Sequence, residues 1–152
     1  MRTPLRCLFL LSMLPLVNSG CKKNAGPPSQ PSSSITGSWE LRAISGGMMP
    51  GQITYAPGNG NILTFSFTSY KLFNANTLVK TGQFIVTYDT TFAENVCLIP
   101  PNGGYTNRID FSDSTGRKIF FEAEGDKLTF YSGCAAFDAE TCQVYARIAP
   151  SQ

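Results

Sequence analysis

The sequence predicts an all-β domain, an antiparallel up-and-down barrel of eight strands, behind an export leader and a short tether. Three observations predict it. Apolar residues recur with a period of two and never with a helical period. The turn signals between them are short enough to force antiparallel neighbours, because a parallel crossover needs about a dozen residues or more. About eight such strands are enough to close a sheet and remove both free edges.

Each strand is read from its alternation. Trp39 and Leu41 alternate with Glu40 and Arg42, and Leu63, Phe65 and Phe67 with Thr64, Ser66 and Thr68. Tyr70 to Phe73 adds a short strand. Phe84, Val86 and Tyr88 alternate with Gln83, Ile85 and Thr87, and Ile109 and Phe111 with Asp110 and Ser112. Ile119, Phe121 and Ala123 alternate with Lys118, Phe120 and Glu122. Leu128 and Phe130 follow, then Val144, Ala146 and Ile148 against Tyr145 and Arg147.

The punctuation is that of a meander. Thr68-Ser69, Asn74-Ala75-Asn76, Asp113-Ser114-Thr115-Gly116 and Glu124-Gly125-Asp126-Lys127 mark reversals, with glycine or asparagine supplying positive φ where a tight turn needs it. Two connections are long, Ser45 to Gly60 and Thr90 to Asn107. Such loops commonly serve as lids or binding loops.

Ahead of the domain, Arg2 and Arg6 precede an apolar run of ten, Leu8 to Val17. A spanning helix needs roughly twenty apolar residues, so the run reads as the core of an export signal over residues 1–20. A buried helix is the competing reading, which Pro15 opposes. Asn18-Ser19-Gly20-Cys21 resembles a lipoprotein signal, in which a small residue precedes the cysteine. That resemblance implies lipidation of Cys21 and a lipid anchor in a membrane. Ordinary secretion with a plain Cys21 is the alternative. Two or more acyl chains hold firmly, at about 0.8 kcal/mol per buried methylene. Residues 21–34, with Pro27, Pro28 and Pro31, then form a Pro/Ser-rich tether of up to roughly 40 Å, and the domain occupies residues 35–150.

Loss of the leader takes Arg2 and Arg6 from the twelve basic residues and leaves ten against ten acidic ones. No basic stripe remains, which argues against nucleic acid as a partner. Of five cysteines, Cys7 leaves with the leader and Cys21 carries lipid. In an oxidising compartment the remaining three allow one disulfide, Cys134 with Cys142 or Cys97 with Cys134. With no histidine, no metal site is expected.

Gly37-Ser38-Trp39 opens the first strand and Arg147 lies in the last. The pair resembles the Gly-x-Trp signature of lipocalins and the arginine that packs over that tryptophan at the closed end of their barrel. The chain is most similar to short lipocalin-like lipoproteins of Bacteroidota. The resemblance implies a lipocalin-like fold, with Trp39 and Arg147 as a barrel-closing pair. The residues after Cys21 are basic and then polar. They lack the acidic run of surface-exposed lipoproteins in that group, which implies a periplasm-facing anchor in the outer membrane.

Catalysis is not expected. The sequence has no histidine base, no nucleophile elbow and no phosphate-binding loop. The carboxylate pairs Asp110 with Asp113 and Glu122 with Glu124 read as solvated faces rather than dyads or calcium ligands. No cofactor is expected. Eleven phenylalanines, ten of them after the leader, are the conspicuous feature. Phe65, Phe67, Phe84, Phe111, Phe121 and Phe130 are expected to point inward. There they either fill the barrel or line an apolar site for a small hydrophobic ligand, with Met48, Met49 and Tyr55 near its mouth. The expected function is a monomeric binding module. An envelope-interaction or inhibitor module with a filled core is the alternative, and an enzyme the remote one.

Overall fold

The computed structural model describes residues 35–46, 51–91, 105–114, 116–133 and 140–149. Its strands are β1 (Gly37–Gly46), β2 (Gln52–Thr54), β3 (Ile62–Ser66), β4 (Ser69–Asn74), β5 (Thr77–Tyr88), β6 (Asn107–Phe111), β7 (Ile119–Glu124), β8 (Lys127–Ser132) and β9 (Thr141–Ile148). Apart from β2, these strands pair antiparallel in chain order, and β9 returns to pair with β1. The result is the closed up-and-down eight-stranded barrel that the alternation predicts. β2 is an addition. It comes from the first long loop and pairs only with Ala43–Ser45 of β1, above the stretch where β3 pairs with Gly37–Glu40. Its three residues sit among glycines and prolines, so no period-two run marks it.

The meander puts the strand connections at two ends. The chain enters β1 at one end, together with the β3–β4, β5–β6 and β7–β8 connections. The β1–β3, β4–β5, β6–β7 and β8–β9 connections lie at the other. The hairpins follow turn chemistry. Ala75 and Asn76 both have positive φ, as a two-residue primed turn requires. The β3–β4 turn falls one residue earlier than its sequence signal. Ser66 pairs with Ser69, so Phe67 and Thr68 are the loop. This corrects the expectation for Phe67. It leaves the pleat with φ 45° and stands on the surface.

The interior rows follow from register. Trp39, Leu63, Leu72 and Lys80 lie opposite one another across β1, β3, β4 and β5, as do Phe65, Tyr70 and Gly82. Trp39, Phe65, Phe121, Ile109 and Leu128 are fully buried, and Phe84 and Phe130 nearly so. At the entry end Phe65 meets Phe84 edge-on at 4.9 Å between ring centroids. Phe65 also lies 6.4 Å from Phe130. Such aromatic pairs add about 0.5–1.5 kcal/mol beyond area burial.

Trp39 and Arg147 face each other across the seam, in register on β1 and β9. The guanidinium carbon lies 4.0 Å from the indole centroid, and the indole N–H donates to the Ile35 carbonyl at 2.7 Å. Arg147 also donates to the Thr36 carbonyl at 2.8 Å. Gly37 makes room for it. A Cβ there would sit 2.9 Å from Nη1 of Arg147, and φ is +121°.

A second, outer core was not foreseen. Phe120, on the face opposite Phe121, is fully buried. Tyr105 from the β5–β6 connection lies 5.8 Å from Phe120 and 4.6 Å from Tyr131, centroid to centroid. Tyr131 donates its hydroxyl to Glu122 at 2.9 Å. Burial first, then this bond, holds the Tyr131 phenol above its ordinary range.

Candidate functional site

The site is a cavity in the half of the barrel away from the chain's entry. Its volume is 260 Å³. Leu63, Tyr70, Leu72, Phe111, Ile119, Phe130 and Tyr145 form its apolar wall, and Lys80, Ser114, Ser132 and Gln143 its polar fringe. Inverted packing explains the gap. Phe65 and Phe84 pack against each other at the entry end, while Lys80, Ser132 and Gln143 stand at positions towards the other end.

β5 places the most informative of these groups. Leu72 pairs with Lys80 but Phe73 with Leu78, so a bulge falls at Val79. The bulge exposes Leu78 and Val79 and turns Lys80 inward opposite Leu72. Lys80 Nζ meets Asp113 Oδ2 at 2.8 Å. The Tyr70 hydroxyl donates to the other carboxylate oxygen at 2.7 Å. Lys80 and then Tyr70 hold the Asp113 carboxyl below its usual range. Burial, then the neighbouring carboxylate, pushes the Tyr70 phenol up. Gly82 fits beneath Tyr70, where a Cβ would lie 2.9 Å from ring atom Cε1. Tyr145, raised to about 12 by burial, is a neutral phenol at neutral pH and bonds Gln143 at 3.2 Å.

A second cavity, of 330 Å³, lies under the β1–β3 loop and shares Leu72 and Tyr145 with the first. Tyr55, named from the sequence as a mouth residue, lines it; Met48 and Met49 lie outside the described residues. The loop above is tied down by a buried carboxylate. Glu40 accepts from the backbone N–H groups of Gly58 at 3.0 Å and Gly60 at 3.1 Å, and from Arg42. Burial raises the Glu40 pKa, but these donors outweigh it and the net direction is down. Alternation marks Glu40 as a solvent-facing residue. The Gly58-Asn59-Gly60 turn folds back over it.

The six phenylalanines divide. Phe111 and Phe130 line the cavity. Phe65, Phe84 and Phe121 are packed in the core without lining it, and Phe67 is outside. The carboxylate pairs are not brought to common work. Asp110 accepts from Arg108, while Asp113 engages Lys80 and Tyr70. Glu122 meets Tyr131. Among the described residues Cys142 in β9 is a free thiol, raised in pKa by burial. Both expected bridges, Cys134 with Cys142 or Cys97 with Cys134, involve residues outside the described ones, and Cys21 lies outside them too.

Comparisons with protein families, with characterised proteins and with solved structures find no match to this chain.

Proposed function

We propose that the chain is a lipid-anchored, non-catalytic lipocalin-like barrel that holds a small apolar molecule in the cavity between β4–β5 and β7–β9. The observation that carries this is the composition of the cavity. Its wall is mostly aliphatic and aromatic, with a few polar groups, Lys80, Ser114, Ser132 and Gln143, as in sites that fix a guest's orientation. The volume of 260 Å³ lies just below the roughly 300–1,000 Å³ of sites for drug-sized ligands. The guest is therefore small, with a neutral or zwitterionic polar end, because Lys80 already has its counter-ion in Asp113. The resemblance of residues 1–34 to a lipoprotein leader and tether supports anchorage through Cys21 on the periplasmic side of an outer membrane.

Titration with the fluorescent apolar probe 1-aminoanthracene tests the reading. Saturable enhancement at one probe per chain, abolished by Leu72→Trp with the melting temperature retained, is expected. Enhancement that survives the filled cavity, or none in the parent, would contradict it. The alternative, an envelope-interaction or inhibitor module, is favoured by one observation: Phe65, Phe84 and Phe121 already fill the entry half. In that case the probe fails to bind, while capture of a protein partner depends on the Thr90–Asn107 connection.

A further inference from the structure

We propose that the end of the barrel where the chain enters β1 rests on a phospholipid bilayer, with Phe67 inserted at the headgroup level. Two anomalies meet at this residue. Phe67 is 92% exposed, and it occupies the first loop position of the β3–β4 hairpin with φ 45°. Only the first of the two loop residues has positive φ, the arrangement in which glycine is the usual occupant. A bulky ring there is strained and fills no space inside the molecule. Other exposed apolar residues lie at the same end of the barrel. Ile85 is 66% exposed and Tyr88, the last residue of β5, 76% exposed. A shallow groove between the Thr68 turn and Ile85 is floored by Phe84 and Phe111.

Connectivity says what covers this surface. The β3–β4 turn and the end of β5 share an end of the barrel with Ile35, where the tether joins the domain. Thirteen residues separate Cys21 from Ile35, a reach of at most roughly 40 Å. A lipid on Cys21 would therefore tether the domain by this end, which makes it the end nearer the anchor. Tethering raises the local concentration of a contact too weak to act alone. The acidic residues of the β7–β8 turn, Glu124 and Asp126, lie at the same end on strands remote from β3–β5. Asp110, paired with Arg108, lines the groove itself. The contact on the β3–β5 side therefore gains nothing from anionic lipid. Aromatic rings at the headgroup level are a favourable arrangement.

The inference takes its geometry from the lipid-anchor reading, and the experiment separates the two. The chain purified from membranes is placed in phosphatidylethanolamine–phosphatidylcholine vesicles, and amide hydrogen exchange is compared with that in detergent. Protection over Ser66–Ser69 and Ile85–Tyr88, with none at Asn74–Thr77, is expected. In parallel, the chain with Cys21→Ser is titrated with the same vesicles. Phe67→Gly and Phe67→Ser are each expected to weaken this binding about tenfold. Neither should lower the melting temperature, and the glycine variant should raise it, since glycine accepts the turn's φ. Unchanged vesicle affinity in both variants, or protection at the Asn74–Thr77 end, would overturn the proposal. The intact mass of the amino-terminal peptide reports acylation independently. An unmodified Cys21 together with the Phe67 effect would remove the anchor and leave the membrane face standing.

Discussion

Arg147 lies across the barrel seam from Trp39 with its guanidinium 4.0 Å above the indole, and it also caps the Thr36 carbonyl. One side chain thus joins the last strand to the first and closes the entry end. Arg147→Ala is expected to destabilise the fold by about 1–3 kcal/mol, from the lost cation–π contact and hydrogen bond. Arg147→Lys should recover only part of this, because an ammonium lacks the planar fork. Urea unfolding followed by the emission of Trp39, the sole tryptophan, measures both.

Gly37 and Arg147 are coupled by space. Gly37→Ala places a methyl group 2.9 Å from Nη1 at a φ of +121°, and a loss of about 1–3 kcal/mol is expected. Part of that loss is steric conflict with Arg147 and part is backbone strain. The double variant Gly37→Ala with Arg147→Ala should therefore be less destabilised than the sum of the singles. Strict additivity would show that the glycine answers only to its backbone.

Glu40 anchors the β1–β3 loop through the amides of Gly58 and Gly60. Glu40→Ala leaves two donors and Arg42 without their acceptor and is expected to cost about 2–3 kcal/mol. Glu40→Gln should cost less. Hydrogen exchange at Gly58 and Gly60 should accelerate in the alanine variant, and slow exchange retained there would contradict the anchoring role.

Asp89 gives an acid limit to stability. It accepts from Thr91, Lys118 and Arg108, and these partners hold its carboxyl well below the usual range. Because the folded pKa is depressed, the stabilisation is complete above the unfolded value of about 3.9 and fades as pH falls through that value towards the folded one. Asp89→Asn should lower stability at pH 7 by about 2 kcal/mol. It should also flatten the fall in melting temperature on the acid side of about pH 4. A slope equal to the parent's would assign that fall to Glu40 and Asp113 instead.

The barrel was legible because alternation and short turns both depend on local chemistry. Leu63 with Phe65 and Ile109 with Phe111 need only a pleat with one dry face. What escaped depends on where strands stop and on what covers them. Phe67 continues the alternation of Leu63 and Phe65, yet the Ser66–Ser69 pair ends β3 before it. Phe120 stands at an outward position, and Tyr105, distant in sequence, packs over it together with Tyr131. Lys80 enters the cavity wall because a bulge at Val79 shifts the parity of β5, and nothing in Thr77–Gly82 marks a bulge by residue type. Glu40 is buried by a loop eighteen residues away. The cavity itself is the difference between the rings of Phe65 and Phe84 at one end and Lys80, Ser132 and Gln143 at the other, a volume that residue types alone do not give.

Native mass spectrometry of the chain after exposure to a membrane-lipid extract tests most directly whether the interior takes a small apolar guest. One guest of low mass per chain is expected, lost in Leu72→Trp and kept in Phe67→Ser, since only the former fills the cavity. A chain that emerges without a guest, or that keeps it when the cavity is filled, would contradict the assignment of the cavity as the binding site.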